Sequence, residues 1–178
     1  MKGMTIAGRK TGLRFDVQAW LEVEEAFGSL EAMIRRMDEG ERPMEAALTL
    51  AAIEINAHER HAGGTPDATV EWLRASLAPK EAAMLTVRAK LALTEGMRRE
   101  HAEDDDEDVD LVAREIEKKN RKSIRARECI GCGLIAGLTL ADTLASAPGM
   151  VMDLYVQRRD YDDQLHGITR RAAEEWSD

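Results

Sequence analysis

Helix start and stop signals recur at short intervals through the first eighty residues, and they leave this chain few options beyond a helical bundle. Asp16 precedes an apolar-periodic run and reads as an N-cap, with Phe15 placed to staple against Trp20. That run ends at Phe27, where Gly28 is a natural stop. Ser29 caps a second run, whose Leu30, Met33, Ile34 and Met37 fall on one face before Gly40. Pro43 suits the first turn of a third helix. This one has two apolar rows, one with Met44, Leu48, Ala51 and Ile55 and another with Leu50, Ile53 and Ala57. A helix apolar on more than one face is expected at the centre of its fold. It exits at Ala62-Gly63-Gly64.

Further helices follow. Thr65-Pro66 restarts a pattern containing Val70, Trp72, Leu73 and Leu77, and Pro79 opens another with Met84, Val87 and Leu91 on one stripe. The exception to the helical texture is the N-terminus. Residues 3–7 and 11–15 are short strand-like runs around a Gly8-Arg9-Lys10 turn. A lone hairpin is marginal in water, so this one must pack on helices. The expected fold class is therefore mainly α, a short β-hairpin packed on a helical bundle.

Residues 103–122 read EDDDEDVDLVAREIEKKNRK. Seven of the first eight are acidic, and between Arg114 and Arg127 seven basic residues face two acidic ones. Like-charge runs stay solvated and commonly mark joints. Beyond Glu128 the texture turns small, apolar and glycine-rich, and Pro148 then opens a last amphipathic helix. Its Val151, Leu154, Tyr161 and Leu165 share a face, Gly167 is expected to break it, and a short terminal helix is expected to end at Trp176. This gives three parts: a hairpin-plus-bundle over 1–100, a charged linker over 101–128 and a small helical module over 129–178. Proteolysis is expected to cut first between about Glu100 and Arg127.

Little in the chain offers chemistry. Cys129 and Cys132 form a CxxC, but the βαβ context of a redox motif and the four ligands of a zinc site are both missing from the pattern, so they read as buried small residues. His58 and His61 are not at the i, i+4 spacing of a zinc helix. The carboxylates Asp153, Asp160, Asp162 and Asp163 are interleaved with Arg158 and Arg159, as on a solvated helix face. Phosphate loops, nucleophile elbows and dinucleotide fingerprints are absent. The expectation is a protein without enzymatic activity, cofactor or metal. A net charge of −9 and a basic run with no aromatics argue against nucleic acid. No apolar run has the length of a membrane span or signal peptide, so a soluble cytoplasmic protein is expected.

Certain of these motifs, in order, carry a resemblance. Leu13-Arg14-Phe15, then Glu24-Glu25, then Phe27-Gly28-Ser29, followed by LTLAAIEINAHERHAGGTP, resemble the tail assembly chaperones of long-tailed bacteriophages and related prophages over residues 3–97. Pro148-Gly149, Asp153-Leu154 and the stretch from Arg158 to Asp162 resemble the distal segment of such proteins. The family's short and long forms arise in many phages by ribosomal frameshifting. An amino-acid sequence leaves open which this is.

The resemblance implies a chaperone that coats the apolar, helical tape measure protein and helps recruit tail tube subunits in the host cytoplasm, self-associating as it does so. Nine methionines suit an adaptable apolar surface. The residues expected to meet partners are Met33, Met37, Leu154, Tyr155 and Tyr161. The alternative is a helical adaptor or regulatory protein outside phage assembly.

Overall fold

The structure, a computed structural model, describes residues 4–6, 8–99 and 124–175. Two strands, β1 (Met4–Ile6) and β2 (Arg9–Thr11), pair antiparallel, with Met4 opposite Thr11 and Ile6 opposite Arg9. The hairpin expected from the sequence is present, but β2 begins two residues early. Gly8 takes φ +80° beside Arg9, so the reversal is complete before Lys10. Residues 12–15 then leave the ladder and run onto the third helix, where Arg14 N–H donates to Glu54 O at 3.2 Å. Gly12 passes so close that a side chain there would meet the His58 ring and push it aside.

Among the described residues the rest of the fold is helical: α1 (Val17–Phe27), α2 (Leu30–Glu39), α3 (Pro43–Ala62), α4 (Val70–Ser76), α5 (Pro79–Met97), α6 (Ala126–Ile135), α7 (Leu140–Ala145) and α8 (Pro148–Glu175). The punctuation works as its chemistry dictates. Asp16 accepts from Ala19 N–H at 2.7 Å and Ser29 from Ala32 N–H at 3.0 Å, each satisfying an orphan donor of a first turn. Gly28, at φ +84°, closes α1 by donating to Glu24 O. Thr69 caps α4, four residues later than the Thr65-Pro66 restart expected from the sequence. The reason is Asn56: its side-chain amide bonds both Ala68 N–H and Ala68 O, holding that segment extended. Gly167 does not break α8, which runs on to Glu175. A mid-helix glycine costs only about 1 kcal/mol and ends a helix chiefly where a left-handed residue is needed.

Helix α3 is the axis of the fold. Leu50 and Ile55 are fully buried in it, and α1, α2, α4, α5 and β2 all pack on it. The apolar cluster extends without a break into the C-terminal helices through Ala126, Cys129 and Val151. α6 packs on α1 and α8, α7 on α1 and α6, and the start of α8 on α5. Polar ties reinforce this docking. Val17 N–H donates to Ser146 O at 3.0 Å, Ala126 N–H to Glu24 Oε1 at 3.1 Å, and Arg99 Nε to Asp153 Oδ1 at 2.8 Å. Gly149 lets α8 abut the end of α5, because a Cβ there would overlap Arg98 O. Among the described residues the C-terminal helices therefore share a core with the N-terminal bundle, and the expected boundary at 129 falls inside α6. Most of the expected 101–128 linker lies outside the described residues.

Candidate partner-binding surface

The five residues expected to meet partners are not brought together. Met33 is fully buried and Met37 nearly so, on the inner face of α2. Both fill the core, because the stripe that makes α2 amphipathic is the stripe it packs with. Neither side chain is offered at the surface, so the expectation that Met33 and Met37 meet partners is not met in this fold. Leu154 and Tyr155 are half-buried on the docked part of α8. Tyr161 is exposed further along it, with the Arg158 guanidinium 5.9 Å from its ring centre.

The larger surprise is α5. Its core-facing residues are Ala82, Leu85, Ala89, Ala92, Leu93 and Gly96. Small side chains let it lie close to α3 and to the segment before α1; a Cβ at Gly96 would sit 2.5 Å from Phe15 O. The bulky stripe of Met84, Val87 and Leu91 points the other way and is 51%, 59% and 58% exposed. Sequence reading favours bulky residues as the buried face. Here the signal lay in the alanines and the glycine, which repeat with helical spacing on the opposite side.

That outer face is bordered by two hollows, the first of mixed polarity and the second mainly apolar. One, of about 370 Å³, lies between β1 and α5, with Met4, Ile6, Leu77 and Met84 as its apolar walls and Thr5, Glu81 and Arg88 as polar ones. The other, of about 560 Å³, lies where α3, α4 and α5 begin, over Met44, Leu48, Leu73 and Leu77. Met44 is 43% exposed, and its sulfur accepts from the Thr86 hydroxyl at 3.8 Å, so the second hollow reaches α5. Leu77 lines both. Contiguous apolar surface of this kind, rimmed by charge, is what interaction sites present.

The hairpin that forms one wall is pinned by a polar clip. Thr11 Oγ1 donates to Glu59 Oε1 at 2.7 Å, and Arg9 reaches Glu59, Asp67 and Thr65 O while lying over the Trp72 ring. The hydroxyl of Thr11 and the guanidinium of Arg9 hold the Glu59 carboxyl below its ordinary value; Arg9 does the same for Asp67.

The remaining chemistry-bearing residues are accounted for by structure. Burial, and then the neighbouring Cys132, push the Cys129 thiol up to about 12; burial and the charge of Glu128 raise Cys132. A reactive CxxC needs the opposite shift. Asp153, Asp160 and Asp162 are ion-paired with Arg99, Arg159 and Arg158. Among the described residues no group of three or more His, Cys, Asp or Glu could hold a metal ion, and no helix is long and apolar enough to cross a membrane. Glu54 stands apart: it is fully buried in α3, neither carboxyl oxygen has a hydrogen-bond partner among the described residues, and burial pushes its pKa well up.

Compared with protein-family models, curated proteins and solved structures, the chain matches none.

Proposed function

We propose that this protein is a tail assembly chaperone of a long-tailed phage or prophage, and that the outer face of α5 with its two hollows receives the tape measure protein. The observation that carries the reading is the outward stripe of Met84, Val87 and Leu91 on a helix whose inner face is already packed. A tape measure exposes long apolar helical surface before the tube forms, and such surface aggregates unless it is covered. A ridge of flexible apolar side chains between hollows suits that client, and methionine adapts to varied apolar shapes. On α8, the exposed Tyr161 and Leu165 supply a separate surface for tail tube subunits. Binding alone accounts for this role, in the host cytoplasm, without catalysis.

The test is co-expression with the tape measure protein encoded beside this chain. Its soluble fraction should rise with the wild-type chain and stay low with a Val87→Asp, Leu91→Asp variant. If the wild-type chain leaves the tape measure insoluble, the chaperone reading fails.

A further inference from the structure

The outer edge of the hairpin carries unused hydrogen-bonding groups beside a hollow. Ile6 and Arg9 flank a two-residue turn and bond each other, as the closing pair of such a hairpin does. Bonded and non-bonded pairs alternate along an antiparallel ladder, so the N–H and C=O of Thr5 point away from β2. Neither group has a backbone partner among the described residues. All three residues of β1 line the hollow against α5, and no residue of β2 does. Successive strand residues face opposite sides of a sheet, so three in a row reach one hollow only where the strand meets it edge-on. Across the hollow stand Leu77, Met84 and Leu85, with Glu81 and Arg88 as walls of opposite charge.

We propose that this edge is a strand-addition site: one extended segment of a partner chain pairs with β1 at Thr5 and lays its inward side chains in the hollow. The chemistry of the segment rests on the strand edge and not on the chaperone reading. It follows from the sheet that would be extended. Met4 and Ile6 share one face of β1, where Ile6 is buried, and Thr5 is exposed on the other. An added strand keeps that alternation, so the segment is apolar, polar, apolar, over about 10 Å for three residues at about 3.3 Å each. Main-chain bonds hold such a segment, and pockets for alternate side chains select it. Glu81 and Arg88 balance each other in sign, so selection is by strand pairing and apolar fit rather than by net charge.

Two other occupants fit less well. A helix bonds its own backbone groups and would leave those of Thr5 unmet. A second copy pairing β1 on β1 would bring its own β2 about 4.8 Å further out, on the side where α5 stands.

The experiment uses the full chain and labelled peptides of about nine residues with threonine and valine alternating. Fluorescence anisotropy should show the unmodified peptide binding. Methylating the backbone nitrogens of one set, the threonines or the valines, should weaken it at least roughly tenfold; methylating the other set should cost much less, since only one set of N–H groups can face β1. Thr5→Pro removes the outward donor at an edge position where proline is tolerated, and should abolish binding. Met84→Asp should weaken it without moving the thermal melt, because Met84 is half exposed. Val87→Asp with Leu91→Asp should leave it unchanged, because neither residue lines this hollow. In hydrogen exchange by NMR, the Thr5 amide should exchange readily in the free chain and gain protection with the peptide, a readout that needs no variant. No binding, equal losses from the two methylations, or a Thr5 amide already protected in the free chain overturns the inference. So does tighter binding of a leucine-striped helical peptide, or a dimer in sedimentation that Thr5→Pro dissolves. Peptide binding without rescue of the tape measure would leave this inference standing and remove the chaperone reading; rescue without peptide binding would do the reverse.

Discussion

Replacing Glu54 with methionine should make the protein more stable at neutral pH, and the gain should grow as the pH rises. The side chain lies fully buried in the central helix with both carboxyl oxygens unpaired among the described residues. Burying an unsatisfied polar group costs about 1–3 kcal/mol, before any charge is placed on it. Methionine has similar length, packs adaptably and removes that cost. The charge adds a pH dependence. Burial raises the folded-state pKa of Glu54 well above its ordinary 4.5. Between that ordinary value and the raised one, the folded chain keeps a proton that the unfolded chain has released. Raising the pH therefore favours unfolding, by about 1.4 kcal/mol per pH unit across the window from this group alone. Glu54→Met loses that slope. Urea unfolding followed by circular dichroism from about pH 5 to pH 8 should show the two stabilities diverging toward high pH. In thermal melts each kcal/mol is worth about 2–4 °C for a chain of this size. Glu54→Gln is the control: it should lose the slope yet gain less, because its amide stays unpaired. A Glu54→Met protein less stable than wild type, or a difference that stays constant with pH, would refute the reasoning and mean that the carboxylate is satisfied in solution.

Three further outcomes follow from the packing and the polar clip. Gly149→Ala should destabilise by about 1–3 kcal/mol, the cost of overpacking, although glycine-to-alanine inside a helix ordinarily stabilises; hydrogen exchange should quicken in α8 more than in α3, and a stabilised variant would mean that α8 does not abut Arg98 O. The hairpin clip should be complete above the ordinary values of Glu59 and Asp67, 4.5 and 3.8, and fade as the pH falls through their lowered folded-state values. The indole resonance of Trp72, under Arg9, should shift in that acid range, and Arg9→Ala should show the shifted position already at neutral pH; a resonance indifferent to both would break the assignment. Under mild alkaline alkylation Cys132 should react well before Cys129, which is fully buried with its thiol pushed up to about 12; equal rates would show that α6 opens readily from α8.

Local chemistry was legible in the sequence where one residue decides one event. Asp16, Ser29, Gly28 and Pro43 start or stop helices through their own side chains or backbone, and all four act as their types dictate. What the sequence hid was decided by distant residues. Asn56 delays α4, Gly149 and Ser146 bring the C-terminal helices onto α5 and α1, and neither effect has a local signature. The burial of Met33 and Met37 is hidden in the sequence for a related reason. Met33 and Met37 and the Met84 stripe share the same spacing, and only the identity of the opposite face separates them. Behind the first stand charged residues such as Arg35, Arg36 and Glu39, and behind the second stand alanines that can themselves be buried.

The division of labour across α5 also fixes where conformational entropy is spent. Four of its six inward residues are alanine or glycine, which have no side-chain rotamers to freeze, so the inner interface has little slack and little to lose. Rotamer freedom is concentrated outside, in Met84, Leu91 and Arg88. A bound helix would therefore be met by motion confined to the rim, while its load passes through a stiff alanine seam into α3. Tuning affinity by changing the outer side chains should accordingly leave the folding equilibrium almost untouched.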